Sequence, residues 1–169
     1  MSVTVLLVDD EENTRINLGG LLATKGYEVI PAATLDEART HIQKGEGDVV
    51  LLDLQLPDGY GPNLLIEMAN MPNRPPVIMI TGYGDIESAV DAMKNGAMDF
   101  LTKPVDFGQL EKSIKRAADY VAMKRELDNL RREKMRDAEF IVGSSPVMKE
   151  AVELAAKAAL KKVNVLIIG

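Results

Sequence analysis

Five residues of the 169-residue chain stand where apolar runs stop, and all five carry groups able to do chemistry. Asp9 and Asp10 follow TVLLV (4–8), Asp53 closes VVLLD (49–53), Thr81 follows PVIMI (76–80), and Lys103 follows MDFLT (98–102). Two carboxylates ~4 Å apart repel by about 4 kcal/mol at an effective dielectric near 20. An exposed ion pair returns less than that. A cation among the acids removes the penalty. Asp9, Asp10 and Asp53 offer only oxygen donors, which select a hard ion, so Mg²⁺ is expected. Such an ion keeps open positions for phosphate oxygens, and an Asp beside it is a nucleophile toward phosphorus. Asp53 is the candidate, because it stands alone at the end of the central apolar run, with LQLPDGYG following as a loop. In-line attack would leave an acyl phosphate. The ion and Lys103 would neutralise the equatorial oxygens, and Thr81 would hydrogen-bond the phosphoryl group.

Each of these residues has an ordinary explanation when taken alone. Asp9 and Asp10 could cap the helix that follows, where the helix dipole favours acids, and Glu11 and Glu12 are read that way. Asp53 could be a plain strand-end acid, Thr81 a turn or cap residue, and Lys103 a surface lysine. Their recurrence at matching strand ends favours one shared cleft. His41 lies on a polar helical pattern, is expected to be exposed, and receives no role. Pro57, Asp58 and Gly59 read as a turn, and Asp85 as the cap of the helix after it.

The elements that must position these groups alternate along the chain. Strands are expected at 4–8, 27–31, 49–53, 76–80 and 98–102. Helices are expected at 13–25, 34–44, 62–70, 85–95 and from 107 onward. Gly26, Gly45, Gly47, Gly82 and Gly96 punctuate the joints. Several strands are almost wholly apolar, which suits a parallel sheet buried on both faces. Five strand–helix repeats with short connections predict an open, doubly wound α/β sheet. Such a sheet gathers its working groups at the carboxyl ends of its strands, near the switch in strand order.

Beyond 107 the helical pattern outlasts its domain and runs to about 137. Tyr120, Met123, Leu127 and Leu130 are spaced 3, 4 and 3, as in a short coiled-coil seam that weakens at Lys134 and Asp137; this reads as a dimerising linker, favoured because no domain core is nearby, or as a single helix packing locally. After EFIVGSSP a second helix is expected at 146–160, then the strand-like VNVLIIG, which reads as a domain cut short. The first 106 residues hold 17 acids and 7 bases, against 9 and 13 in the rest. The acidic part repels nucleic acid. With no Cys, disulfides and thiolate metal sites are excluded, and a reducing, cytoplasmic setting is expected. No signal peptide and no membrane-spanning run is seen.

VLLVDDEE, VVLLDLQLPDGYG, VIMITGYGD and GAMDFLTKPVD together resemble the receiver domain of two-component response regulators, over about residues 3–118. The resemblance implies a flavodoxin-like (βα)5 fold and a phosphoprotein role in a phosphorelay. Asp53 would accept phosphoryl from a sensor histidine kinase. Asp10 would bind Mg²⁺ directly and Asp9 through water, with the Gln55 carbonyl completing the set. Lys103 would contact the phosphoryl group, and the Lys103–Pro104 bond is expected to be cis. Thr81 and Phe100 would form the switch pair, with Phe where family members often carry Tyr. Exposed residues of the first helix, Asn13, Arg15 and Asn17, would guide kinase choice. FIVGSSPVMKEAVELAAKAALKKVNVLIIG resembles the opening of the AAA+ domain of sigma-54-dependent, NtrC-like activators, with Gly169 as the first glycine of the phosphate-binding loop.

The expected organisation is a receiver domain over 1–118, a helical dimerisation linker over 119–138 and an AAA+ fragment over 139–169. The chain would form a homodimer through the receiver face and the 107–137 helix. The full-length parent would be an ATPase acting with sigma-54 RNA polymerase and enhancer DNA. The fragment itself would bind neither nucleic acid nor membrane, and would not be an enzyme. One competing reading is a Mg²⁺-dependent phosphohydrolase. It is disfavoured because Gln55 stands where a second acid would serve turnover. The other is a receiver that acts unphosphorylated, as an interaction module only. It is disfavoured because every acid and the lysine are present.

Overall fold

The computed structural model describes residues 2–82, 86–137 and 145–160. The chain divides into two compact units, residues 1–125 and 126–169. In the first, β1 (Thr4–Val8), β2 (Glu28–Ala32) and β3 (Val49–Asp53) precede a short hairpin, β4 (Gln55–Leu56) with β5 (Gly59–Tyr60). Then come β6 (Val77–Thr81) and β7 (Asp99–Thr102). The five long strands make one parallel sheet in the order β2-β1-β3-β6-β7. The strand order reverses between β1 and β3, so this is the doubly wound, flavodoxin-like arrangement, with its crevice at the carboxyl ends of those two strands.

Alternation along each strand sends side chains to two apolar layers. Val5, Leu7, Leu51, Ile78 and Ile80 pack with Leu18 and Leu22 of α1 (Glu12–Thr24). Leu6, Val8, Val50, Leu52 and Met79 face α2 (Leu35–Gln43), α3 (Gly61–Glu67) and α4 (Ile86–Lys94). The helix α5 (Phe107–Asp137) joins the α1 layer through Leu110, Ile114 and Ala117, whose spacing of 4 and 3 keeps them on one stripe. Its first turn is capped by Asp106, whose Oδ1 accepts the Gln109 N–H at 2.8 Å. Asp99 on β7 accepts from Ser113 and Arg116 of α5. Further along, Lys124 Nζ donates to the Pro72 carbonyl at 2.9 Å, and Arg125 meets Asp48 Oδ1 at 2.6 Å. The second Asp48 oxygen accepts the Thr4 N–H at 2.9 Å.

Several element bounds move by a residue for local reasons. β2 begins at Glu28 rather than Tyr27, because the Tyr27 N–H closes the end of α1 on the Leu22 carbonyl. Pro76 lies outside β6, although its carbonyl still accepts from Val50. The expected helix over 62–70 is α3 followed by a 3₁₀ turn at Met68–Asn70. The β4–β5 hairpin forms around the expected Pro57–Gly59 turn. His41 is half-buried rather than exposed, its Nδ1 2.6 Å from Glu46 Oε2.

In the second unit, α6 (Pro146–Leu160) takes the expected helical stretch. Ser145 begins it, with its carbonyl accepting from the Met148 and Lys149 N–H groups. Asp85, most of EFIVGSSP and the strand expected at 163–169 lie outside the described residues. Among the described residues, no helix is long and apolar enough to cross a membrane.

Candidate phosphoryl-acceptor site

The sheet brings the strand-end groups together. β1 and β3 are neighbours, with Val8 opposite Leu52, so Asp9 and Asp53 emerge side by side. β7 pairs with β6, Thr81 opposite Thr102, which sets Lys103 one residue past that pair. The Lys103 N–H donates to the Thr81 carbonyl at 2.7 Å, and the Lys103–Pro104 bond is cis, as expected. The lysine stem then reaches back across the crevice. Its ammonium lies 2.6 Å from Asp53 Oδ2 and 2.7 Å from Asp9 Oδ2, with Glu11 Oε2 at 3.8 Å.

Asp9 and Asp53 are buried, at 2% and 7% exposure, whereas Asp10 faces solvent. Burial is the largest influence on Asp9 and holds its carboxyl above the usual range. The Lys103 ammonium and the Glu11 N–H act against it without cancelling it. For Lys103, burial alone works to lower the pKa. The Asp53 and Asp9 carboxylates outweigh it and hold the ammonium above its ordinary value.

One carboxylate oxygen from each of Asp9, Asp10 and Asp53 lies within 4.8 Å of the others. That set fits a small hard cation: all donors are oxygen, and the exposed acid leaves one side open to water. Asp9 Oδ1 accepts the Glu11 N–H at 2.9 Å, while Asp53 Oδ1 has only a 3.4 Å contact from the Gln55 N–H. Asp53 therefore keeps one weakly engaged oxygen. Thr81 is buried at the end of β6, beside the crevice. Phe100 is half-buried against the layer facing α2 to α4, two residues before Thr102, the register partner of Thr81. Gln55 is exposed at the start of the hairpin that follows Asp53.

Three residues have roles that sequence reading missed. Arg15, expected to be exposed on α1, is partly buried and donates to the Asp9 carbonyl at 2.5 Å. It braces the turn carrying both acids; Asn13 and Asn17 are exposed as expected. Glu11 occupies the N-cap of α1 but makes no capping bond there, accepting instead from the Thr14 hydroxyl at 2.8 Å. Asp58, read only as a turn residue, accepts the Leu35 and Asp36 N–H groups at the start of α2, both at 2.9 Å. The turn motif hid that long-range bond; no sequence signal marked it.

The chain matches the response regulator receiver domain family over residues 5–115. Among curated proteins, it is 35% identical over 167 residues to the regulatory protein AtoC of Escherichia coli K12, covering 98% of this chain and 36% of AtoC. It thus spans about a third of the length of the curated relatives it matches over nearly its whole length. Among solved structures, NtrX from Brucella abortus matches with a TM-score of 0.69 and 33% identity, over 94% of this chain and 35% of that one. The beryllofluoride-activated NtrC4 receiver domain dimer matches with a TM-score of 0.65 and 39% identity, over 70% of this chain and 98% of that one. Likeness of sequence and likeness of backbone converge on the same stretch, and the chain belongs to the family of response regulator receiver domains.

Proposed function

We propose that Asp53 accepts a phosphoryl group from a phosphohistidine of a sensor histidine kinase, and that this switches the receiver between two states. One observation carries the reading: Asp9 and Asp53 are drawn together on Lys103 with Asp10 beside them, at the point where the strand order reverses. An Asp53 oxygen forms a bond to phosphorus while the bond from phosphorus to the donor nitrogen breaks, and the imidazole leaves with the electron pair. Asp9, Asp10, Asp53 and the Gln55 carbonyl would hold Mg²⁺, which when bound would supply positive charge to the phosphoryl oxygens. Lys103 supplies a second cation from within the chain and holds the nucleophile in line. Thr81 then hydrogen-bonds the acyl phosphate, and Phe100 repacks as the signal leaves the site.

The chain itself is a regulator rather than an enzyme. On this reading residues 1–118 are the receiver, 119–138 the dimerising linker and 139–169 the start of an AAA+ domain. The homodimer uses the receiver face and the seam on α5. The full-length parent would be a cytoplasmic ATPase that binds enhancer DNA and activates sigma-54 RNA polymerase. Support comes from relatives such as AtoC and PilR, which match over nearly the whole chain, and from the dimeric NtrC4 receiver.

The test is incubation with acetyl phosphate and Mg²⁺, followed by intact mass. A single phosphoryl adduct is expected, lost in Asp53→Asn and lost on chelation. No adduct on the wild-type chain would overturn the reading. Sustained release of phosphate from a phosphomonoester would replace it with a phosphohydrolase.

A further inference from the structure

We infer that Asp58 is a positioning residue for the phosphoryl-acceptor site: it latches the loop carrying Gln55 to the start of α2 and so fixes the Gln55 carbonyl. The inference rests on the reading of Asp53, Gln55 and their neighbours as a Mg²⁺ site. In a Pro-Asp-Gly turn, an Asp side chain ordinarily bonds backbone within the turn. Here its two oxygens reach another element. Oδ1 accepts the Leu35 N–H and Oδ2 the Asp36 N–H, residues 23 and 22 positions away.

The start of α2 has several backbone donors with no partner inside the helix. Thr34, the local cap, takes the Glu37 N–H at 3.2 Å. The two donors nearest the end go to Asp58. Two caps therefore divide the work, one local and one remote, and only the remote one ties α2 to the site.

The loop it holds has little slack. Gln55 pairs with Tyr60 and Leu56 with Gly59, and the Gly61 N–H closes on the Leu54 carbonyl at 2.8 Å. Gly59 has φ +154°, and a Cβ there would sit 3.0 Å from Leu35 Cδ1. A Cβ on Gly61 would run into the Asp53 carbonyl. The hairpin is therefore seated against α2 on one side and against the phosphoacceptor backbone on the other. Asp58, at its tip, is the polar bond that keeps it seated. Mg²⁺ demands near-ideal octahedral geometry. A carbonyl free to drift is a poorer ligand than one held still, and groups that orient metal ligands typically change affinity by tenfold or more.

The experiment compares the 169-residue chain with Asp58→Ala, Asp58→Asn and Thr34→Ala. Mg²⁺ is titrated without phosphodonor, followed by amide NMR shifts at Gln55 and Leu56. The Mg²⁺ dependence of acetyl phosphate adduct formation is measured alongside. Asp58→Ala is expected to need about tenfold more Mg²⁺ in both, with an unchanged rate once Mg²⁺ saturates. Asp58→Asn, which keeps one acceptor, should fall between. Thr34→Ala loosens α2 without touching the latch and should bind Mg²⁺ like wild type.

Wild-type Mg²⁺ affinity in Asp58→Ala overturns the inference. So does an equal loss in Thr34→Ala, which would make the effect one of helix stability. An equal loss in Asp58→Asn and Asp58→Ala overturns it too, by assigning the effect to charge. If the wild-type chain forms no adduct, the phosphoacceptor reading fails while the NMR titration still judges the latch.

Discussion

At the residue scale, the site works by holding acids where acids are unwelcome. Asp9 shows the conflict best, because burial raises its pKa even with the Lys103 ammonium at 2.7 Å. Its folded pKa lies above the unfolded value of 3.8. The folded state therefore binds a proton that the unfolded chain has released, in the window just above 3.8. Acidification through that window favours the fold, and stability falls as pH rises through the folded value. Asp9→Asn should accordingly raise Tm in metal-free buffer. The same change should weaken Mg²⁺ binding. Differential scanning calorimetry with EDTA checks the first part, and a fall in Tm would mean that the ion pair outweighs burial. Lys103 runs the other way. Its raised pKa contributes stability that is fully present below 10.5 and lost as pH rises through the folded value. Lys103→Met should remove that alkaline loss from the Tm–pH profile; an unchanged profile would deny the pairing. The acids, the lysine and the threonine were legible in the sequence because each interrupts an apolar run at a strand end. Arg15 and Asp58 were not, because their partners are backbone groups that only the folded chain brings near.

At the element scale, the five strands and their helices were readable because buried parallel strands are apolar throughout and amphipathic helices are not. The β4–β5 hairpin was not readable as strand. Two residues a side carry no periodic signal, and Pro57, Asp58 and Gly59 advertise only a turn. The ends of α2 and α5 make separate predictions. Thr34→Ala should cost about 1 kcal/mol, the usual worth of an N-cap. Asp58 is held below the usual carboxylate range. Burial alone would raise its pKa, but the Leu35 and Asp36 N–H groups and Arg39 outweigh it. Its stabilisation is present above 3.8 and is lost as pH falls through its lower folded value. The gap in Tm between wild type and Asp58→Ala should therefore narrow as pH drops below that point, and a constant gap would count against the cap. On α5, the Arg125–Asp48 pair joins a largely exposed guanidinium to a mostly buried acid. Arg125→Ala should cost under about 1 kcal/mol. It should speed hydrogen exchange in the turn before residue 125, and unchanged exchange would show that Lys124 and the apolar stripe suffice.

At the scale of the whole molecule, the proposed switch must be driven by more than one bond. Moving a two-state equilibrium from 1:99 to 99:1 takes about 5.5 kcal/mol. A hydrogen bond from Thr81 to a charged phosphoryl group gives about 1.5–3 kcal/mol. Burial at an interface between two copies is the natural source of the rest. The side chains of Tyr120, Met123, Leu127 and Leu130 are about half exposed or more, at heptad spacing along α5. Leu127→Asp should weaken self-association at least tenfold by analytical ultracentrifugation, with or without beryllofluoride, and wild-type association in that variant would remove the seam from the account. The heptad spacing was visible in the sequence; a single chain leaves any facing surface unspecified. All of this depends on Asp53 being the carboxylate that takes the phosphoryl group. The most direct measurement is to phosphorylate the chain with acetyl phosphate and Mg²⁺, reduce the acyl phosphate with borohydride, and map the resulting homoserine by peptide mass spectrometry. The account predicts homoserine at position 53 and unaltered aspartate at 9 and 10. Homoserine at either of those positions, or at none, would contradict it.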